Sequence, residues 1–562
     1  MNQVAGIESP SASAWKQAWK QALKRPLKLL LTTPLAIALG LACCVHIGLA
    51  IGLGLSPDEA HYALYGIHLD WSYYDHPPLV GWLQALPAYW GGQDGLMRGV
   101  PTLTWCAGAV TLMALVQQLW PQDMGVRRLA LWLWLLSPMV HLLGIAWVPD
   151  TLLMPLTGVV MALTWRLGQS LKGPREAHAD KDMPSEASQA NERVVGMATW
   201  LALGLSLGLC GLSKYTSVLL GLSALAWLLR QGGLGLFKQS GFWGALLAAC
   251  LLTLPVFYWN WQNDWASFGY QLHHTAGGGP WQLYKVVAYF LVQCLAYGPL
   301  LAWGLWVAGR AQSPATRSPL VFCAFFGVPA LLLLVLTSGR GGALPHWTLS
   351  AWMALLPVAA WGWAQRLKAP RSRGSTGLWR ALVGLQTVGL ALAFWLLVSA
   401  GWLPGVNAES GPQATAPMGQ SAQTAPNNPL ADLWGWSEVA PFAQQSAQGL
   451  SSANGGQVPA LAVMNWSLAS RLAWYARPSP VKVVHSHHDQ FDRWFGELQA
   501  GESVLLVNWS LMDFAPPIGP NAFAECEAKG QIPVIHWGRQ LAHFNLLWCQ
   551  HWQGAVQERA AP

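Results

Sequence analysis

The residues with chemical capacity in this sequence are few, and they stand beside apolar runs. Ser56-Pro57-Asp58-Glu59-Ala60-His61-Tyr62 joins two carboxylates to an imidazole and a phenol. Tyr73-Tyr74-Asp75-His76-Pro77-Pro78 follows in the same aromatic-rich stretch, residues 56 to 98. Asp150 is the lone charge of Trp147-Val148-Pro149-Asp150, and Lys214 that of Gly211-Leu212-Ser213-Lys214-Tyr215. Arg340 lies among glycines in Ser338-Gly339-Arg340-Gly341-Gly342, where a phosphate can approach the backbone closely. His273, His274 and His346 complete the set. Carboxylates beside separate cations suit group transfer from an anionic lipid: a carboxylate takes the acceptor's proton while the cations stabilise the departing phosphate. Each group also has a plainer reading. Asp58 and Glu59 can be a solvated helix end, and Lys214 a membrane anchor that snorkels or pairs. Asp58, Glu59 and His61 could hold a divalent ion, but none is required, because positioning and charge stabilisation serve so good a leaving group as a lipid phosphate.

The elements that must position these groups follow from composition. A chain of 562 residues would make about four soluble domains, yet only 10% of it is charged and 53% is hydrophobic. The 36 Trp outnumber Phe and Tyr together, and the mean hydropathy is +0.30. Lipid is therefore the main solvent, which excludes an ordinary cytosolic enzyme and a nucleic-acid-binding domain. The reading is an α-helical polytopic membrane protein with apolar spans at 29–55, 99–119, 129–148, 149–167, 194–212, 215–229, 241–259, 286–308, 319–336, 347–363 and 381–403, eleven in all. The boundary between the fifth and sixth is set by the charge of Lys214. The first run is too long, and lacks the small-residue site, for a cleavable signal.

Lys and Arg in the connections fix the orientation. With the N-terminus inside, the inner pieces carry 21 basic residues and the outer side of the membrane part four: Arg98, Lys214, Lys285 and Arg340. The sequence accordingly divides into a cytoplasmic segment 1–28, a transmembrane region 29–403 with its outer loop 56–98, a linker 404–429, and an outer α/β domain 430–562 built on short apolar runs such as 460–464, 481–484, 503–507 and 532–537. In a Gram-negative cell the outer side is the periplasm and the membrane the inner one. The outer loop is expected to lie on the membrane surface as amphipathic helices. The mixed-charge stretch 172–193 reads as a solvated linker. Seven of the nine Cys lie in apolar runs as packing residues. Cys526 and Cys549 either pair in an oxidising compartment or remain two buried thiols. His46 and His141, near or within spans, read as hydrogen-bonded packing residues.

With the sides assigned, Asp58, Glu59, Asp150, Lys214, Arg340 and the histidines share the outer face. At these residues the sequence resembles the polyprenyl-phosphate-sugar-dependent glycosyltransferases of the GT-C fold, in particular the bacterial family 39 and 83 group, which is similar to protein O-mannosyltransferases and to the lipid A aminoarabinose transferase. The likeness covers most of residues 50 to 365. It implies that Asp58 and Glu59 are the acidic pair of the first outer loop, with Asp58 as catalytic base, and that Asp150 is the second acidic position. It further implies that Lys214 holds donor phosphate, and Arg340 to Trp347 resembles the Gly-basic-Pro-aromatic stretch of the bacterial branch. Asn260 to His274, with Asn263 to Phe268 within it, resembles the outer loop of the bacterial branch, and Asp432 to Trp436 and Asp489 to Trp494 resemble elements of its tail. One departure is visible: His76 stands where the aminoarabinose transferases carry Lys before the Pro, and it is a weaker, pH-dependent cation.

The expected reaction is an inverting transfer of a sugar from a polyprenyl-phosphate donor to an envelope acceptor, lipid A or another glycolipid being favoured. Lys214, Arg340 and His76 face the phosphate, and His61, Tyr62, Tyr74, His273, His274 and His346 line the substrate. No cofactor, metal or nucleic acid is expected. The acceptor can instead be a protein, as in an O-glycosyltransferase of the same fold. Two other classes stay open: a transporter or flippase of lipid-linked sugars, which would more often set its polar residues near the midplane, and a noncatalytic scaffold whose outer domain binds a partner.

Overall fold

The computed structural model describes residues 33–171, 196–276, 279–310, 317–369, 373–402, 428–484 and 488–554. The segment 1–28, the linker 172–193 and nearly all of the linker 404–429 lie outside the described residues. Each expected apolar segment falls on a helix or a bent helix pair. Among the described residues seven helices are long and apolar enough to cross a membrane, and nine if each bent pair is one span. Met197–Ser213 and Leu349–Lys368 supply helices at the fifth and tenth expected positions. The sixth begins where the charge of Lys214 placed it: Lys214 is extended (φ −155°, ψ 139°), and the helix Val218–Gly232 follows a 3-10 turn at Tyr215–Ser217. Outward faces carry exposed side chains such as Leu247, Leu251 and Leu332, while Trp105, Trp134, Trp361 and Trp363 fill the shared core.

The two bends have a chemical cause and a common remedy. Pro138 and Pro299 cannot donate to the preceding turn, so Met124–Leu136 meets Pro138–Ile145 at 63° and Leu283–Ala296 meets Pro299–Arg310 at 105°. The backbone groups so released lie where water is scarce and must be paired inside the protein. Gln386, buried on Arg373–Val398, serves both breaks: its Nε2 donates to Leu136 O (2.9 Å) and its Oε1 accepts from Leu300 N (2.8 Å). Gly298 (φ +99°) makes the second corner, and a Cβ there would meet Gln386 Nε2 at 2.1 Å. His141 bonds Leu135 O at 2.7 Å and His46 at 2.9 Å, the packing role expected of both histidines.

The outer loop holds the helices Pro57–Ile67 and Leu79–Tyr89 and a single turn at Asp94–Met97. Beyond residue 428 a five-stranded sheet runs in the order β2 (Val481–Val483), β1 (Ala460–Val463), β3 (Val504–Trp509), β5 (Arg539–Trp552), β4 (Phe523–His536). β1 is parallel to β2 and β3, as its helical connection Trp466–Tyr475 requires, and the rest is antiparallel. The β4–β5 hairpin is longer than the apolar run at 532–537 implies. It turns on Trp537 (φ 50°) and Gly538 (φ 73°), the paired positive φ of a tight hairpin loop, and Cys526 is bonded to Cys549 across it.

The sheet region and the outer loop share a core. Leu55, Ala60, Ala63 and Leu64 cluster with Leu468, Leu472 and Trp474. Asp94 accepts from Trp474 Nε1 (3.0 Å) and Tyr475 Oη (2.5 Å), and that hydroxyl also accepts from Leu55 N (2.8 Å). The tail therefore packs over the helices of residues 56–98.

Candidate active site

Ser56 opens the Pro57–Ile67 helix in a capping box: its Oγ accepts from Glu59 N (3.4 Å), and Glu59 Oε2 accepts from Ser56 N (3.1 Å). Glu59 is otherwise consumed by Arg98, whose Nε and Nη2 reach its two oxygens at 2.7 Å each. Arg98 also donates to Leu53 O (2.7 Å) and Gly54 O (2.8 Å). Burial alone would raise the Glu59 carboxyl, but Arg98 and the Ser56 bonds prevail and lower it. Both residues are buried, and the pair clamps the helix to the end of the first span. Glu59, expected as a catalytic acid, is thus engaged by Arg98 and is not among the residues around the cavity.

Asp58, one residue earlier and about 100° around the helix, faces a cavity of about 480 Å³. The cavity lies between the outer loop, the start of Pro149–Leu171, the end of Met197–Ser213, the His346 turn and the tail segment 488–491. Among the described residues no hydrogen bond or ion pair holds the Asp58 carboxylate. Burial raises its pKa above the usual value of 3.8, partly offset by His61. Of the three acids expected to be catalytic, this one faces the cavity with no partner among the described residues.

Asp150 begins the Pro149–Leu171 helix and Lys214 ends Met197–Ser213, and a bond from Ser213 Oγ to Pro149 O (2.7 Å) joins the two ends. Lys214 Nζ lies 2.6 Å from Asp150 Oδ2, with His346 Nε2 3.6 Å from the same oxygen and the Trp347 ring 5.7 Å from Nζ. Asp150 Oδ1 is buried without a partner. Lys214 therefore pairs rather than snorkels, and Asp150 fixes it at the cavity wall. Burial takes His346 down to about 4, so it is neutral at pH 7.

His76 also lines the cavity, and there the expected cation does not hold: burial lowers it to about 4, and it can offer only a neutral N–H. Tyr62 and Tyr74 line the same space. Tyr74 N donates to Gln490 Oε1 of the tail (2.8 Å), and its ring lies 5.2 Å from that of Tyr270. Arg340 is exposed on the 3-10 turn Ser338–Arg340 and is not one of the residues around the cavity. His273 and His274 fall within the helix Ala266–Ala276, but their side chains lie outside the described residues.

The structure adds residues that sequence reasoning did not single out: Asp75, Tyr270, Trp347, Trp466, Asp489 and Phe491. Asp75 and Asp489 stood inside motifs already noted, yet nothing in their spacing distinguished them from surface acids. Asp75 meets His61 Nε2 (3.2 Å) and accepts from Tyr65 Oη. Its segment is tied to Ala266–Ala276 by Gln271 Nε2 to Asp75 O (2.6 Å) and Ser267 Oγ to Tyr73 O (2.6 Å).

The geometry can be set beside known proteins. A family model described as dolichyl-phosphate-mannose-protein mannosyltransferase matches residues 190–259, the stretch that carries Lys214. A lipid A galacturonosyltransferase, RgtD of Rhizobium johnstonii, is 23% identical over 316 residues, 54% of this chain and 59% of that protein. The chain therefore matches less than two thirds of this relative's length. The apo crystal structure of ArnT from Cupriavidus metallidurans has a TM-score of 0.55 at 16% identity, covering 91% of this chain and 97% of the other. The same protein bound to undecaprenyl phosphate gives 0.52 at the same identity and coverage. The chain is a multi-pass membrane protein with the fold of the ArnT structures, and it is similar in sequence to a lipid A galacturonosyltransferase.

Proposed function

We propose that the protein transfers a sugar from a polyprenyl-phosphate donor to an envelope acceptor, with lipid A or a similar glycolipid favoured, at the periplasmic face of the bacterial inner membrane. The observation that carries this reading is the cavity itself, where the half-buried carboxylate of Asp58, unpaired among the described residues, shares one space with Lys214, held by Asp150. The donor's phosphate meets Lys214, which Asp150 orients. Asp58 takes the proton of the acceptor hydroxyl as its oxygen attacks the anomeric carbon; the bond from that carbon to the phosphate oxygen breaks, polyprenyl phosphate leaves with the electron pair, and the configuration inverts. Raised basicity at Asp58 and charge stabilisation at the leaving group act on the same step.

Three further observations support the reading. An apolar groove of about 440 Å³ runs between Val218–Gly232 and Ser240–Gln262 and includes Tyr215 and Ser217, next to Lys214, where a prenyl chain fits. ArnT, with the same fold, is known bound to undecaprenyl phosphate. A cross-strand disulfide in the tail suits an oxidising compartment. A protein acceptor is the second reading, favoured by the mannosyltransferase description of the matching family model. Mass spectrometry of envelope lipids and glycoproteins from cells with the wild-type protein or Asp58→Asn separates the two. A sugar missing from a glycolipid in the variant supports the first, one missing from a protein the second, and identical envelopes contradict both.

A further inference from the structure

His61 occupies a setting that its expected part in lining the substrate does not account for. It is buried, at 4% exposure, on the Pro57–Ile67 helix. Its Nε2 faces Asp75 at 3.2 Å, and Asp75 is held in turn by Tyr65 Oη. Five aromatic rings surround the imidazole with centroids 5.0 to 5.8 Å away: Tyr62 and Tyr65 from the outer loop, and Trp466, Phe491 and Trp494 from the tail. His61 Nδ1 is buried and has no partner in the protein, although the residue lines the cavity. A carboxylate on one nitrogen favours the imidazolium. In that form both nitrogens donate, so Nδ1–H is a buried donor that costs free energy until it finds an acceptor.

We propose that His61 is the second cation of the cavity, offering Nδ1–H to the phosphate of the lipid-linked donor, and that Asp75 is a positioning residue that acts through it. This rests on the donor class proposed above. It also moves the role expected of His76 one helical segment away, and it gives the tail a part in the site, since three of the five rings belong to the tail. The ionisable groups that face His61 are Asp75, Asp58 and Asp489, each favouring the charged form, His76, which opposes it, and the phenols Tyr62 and Tyr65. Burial, the largest single influence, would lower His61, yet its pKa lies above the ordinary 6.5, because Asp75, Asp58 and Asp489 together outweigh the desolvation.

The test is the affinity of the purified full-length protein for a short-chain polyprenyl phosphate between about pH 7.5 and 9.5, where a phosphate monoester with a second pKa of about 6 is fully ionised. At the lower pH, His61→Gln and Asp75→Asn each lose about tenfold, the scale of one charge-assisted hydrogen bond. The double variant binds no worse than His61→Gln, because Asp75 acts only through the imidazole. Wild-type affinity falls at a higher pH than that of Asp75→Asn, and His61→Arg removes this pH dependence. Losses that multiply in the double variant, or an Asp75→Asn deficit equal at every pH, overturn the proposal. If Asp75→Asn does not fold, His61→Arg decides: retained affinity supports a cation there, and a loss equal to that of His61→Gln refutes it. Wild-type protein that binds polyprenyl phosphate with this pattern, yet transfers no sugar, refutes the glycosyltransferase reading and leaves this one standing.

Discussion

Two buried ion pairs stand at the outer ends of the helices, and they differ in what they leave unsatisfied. Arg98 spends its donors on Glu59, Leu53 O and Gly54 O, and Glu59 also closes the capping box of its own helix. Lys214 and Asp150 share one short contact, keep Asp150 Oδ1 without a partner, and lie in the cavity wall. A pair whose bonds are complete holds structure together. A pair left incomplete beside a cavity has capacity for a ligand. Asp58 and Glu59 repeat the contrast within two consecutive residues, because a helix sends neighbours to different faces.

Substitutions separate the two pairs by what each one costs. Arg98→Ala leaves the Glu59 carboxylate buried and alone, a loss of about 3–5 kcal/mol for such a pair. The expected outcome is a sharply lower yield of monodisperse protein and a lower unfolding temperature, whereas normal thermal stability would show the clamp to be dispensable. Lys214→Ala should fold, with the donor KM raised about tenfold or more and a smaller change in kcat. Equal stability losses in the two variants would erase the distinction drawn here. Asp150→Asn keeps the shape but loosens Lys214, so a rise in donor KM of a few-fold, below that of Lys214→Ala, is expected. The smallest effect is on pH. The Glu59 carboxyl is lowered on folding, so its stabilisation is complete above its ordinary value of 4.5 and is lost as pH falls through the lower folded value. Asp58 is raised, so the acid limb of kcat/KM should lie above the ordinary carboxylate range. Thermal melts and rate profiles across acidic pH measure the two limbs separately.

Much of this architecture was legible in the residues. Apolar run length located the helices, and a lone Lys between apolar runs marked a boundary that lies in the cavity wall. What escaped the sequence was pairing across distance. Nothing local to Glu59 says that Arg98, far along the chain, will consume it, and nothing in His76 says that burial will strip its charge while His61 keeps one. Arg340 had the right type and neighbours, but its turn carries it to the surface. The long hairpin at 523–552 mixes polar with apolar residues, so its apolar run showed only part of one strand. Gln386 was invisible as well, because its task exists only once two broken helices meet it.

The account stands most directly on Asp58. Purified wild-type protein and Asp58→Asn, reconstituted in liposomes with a labelled polyprenyl-phosphate sugar and an envelope glycolipid, should bind the donor equally. The variant should transfer sugar at least a hundredfold more slowly, the lower end of what a general base supplies. Transfer by Asp58→Asn within a few-fold of wild type would contradict the account.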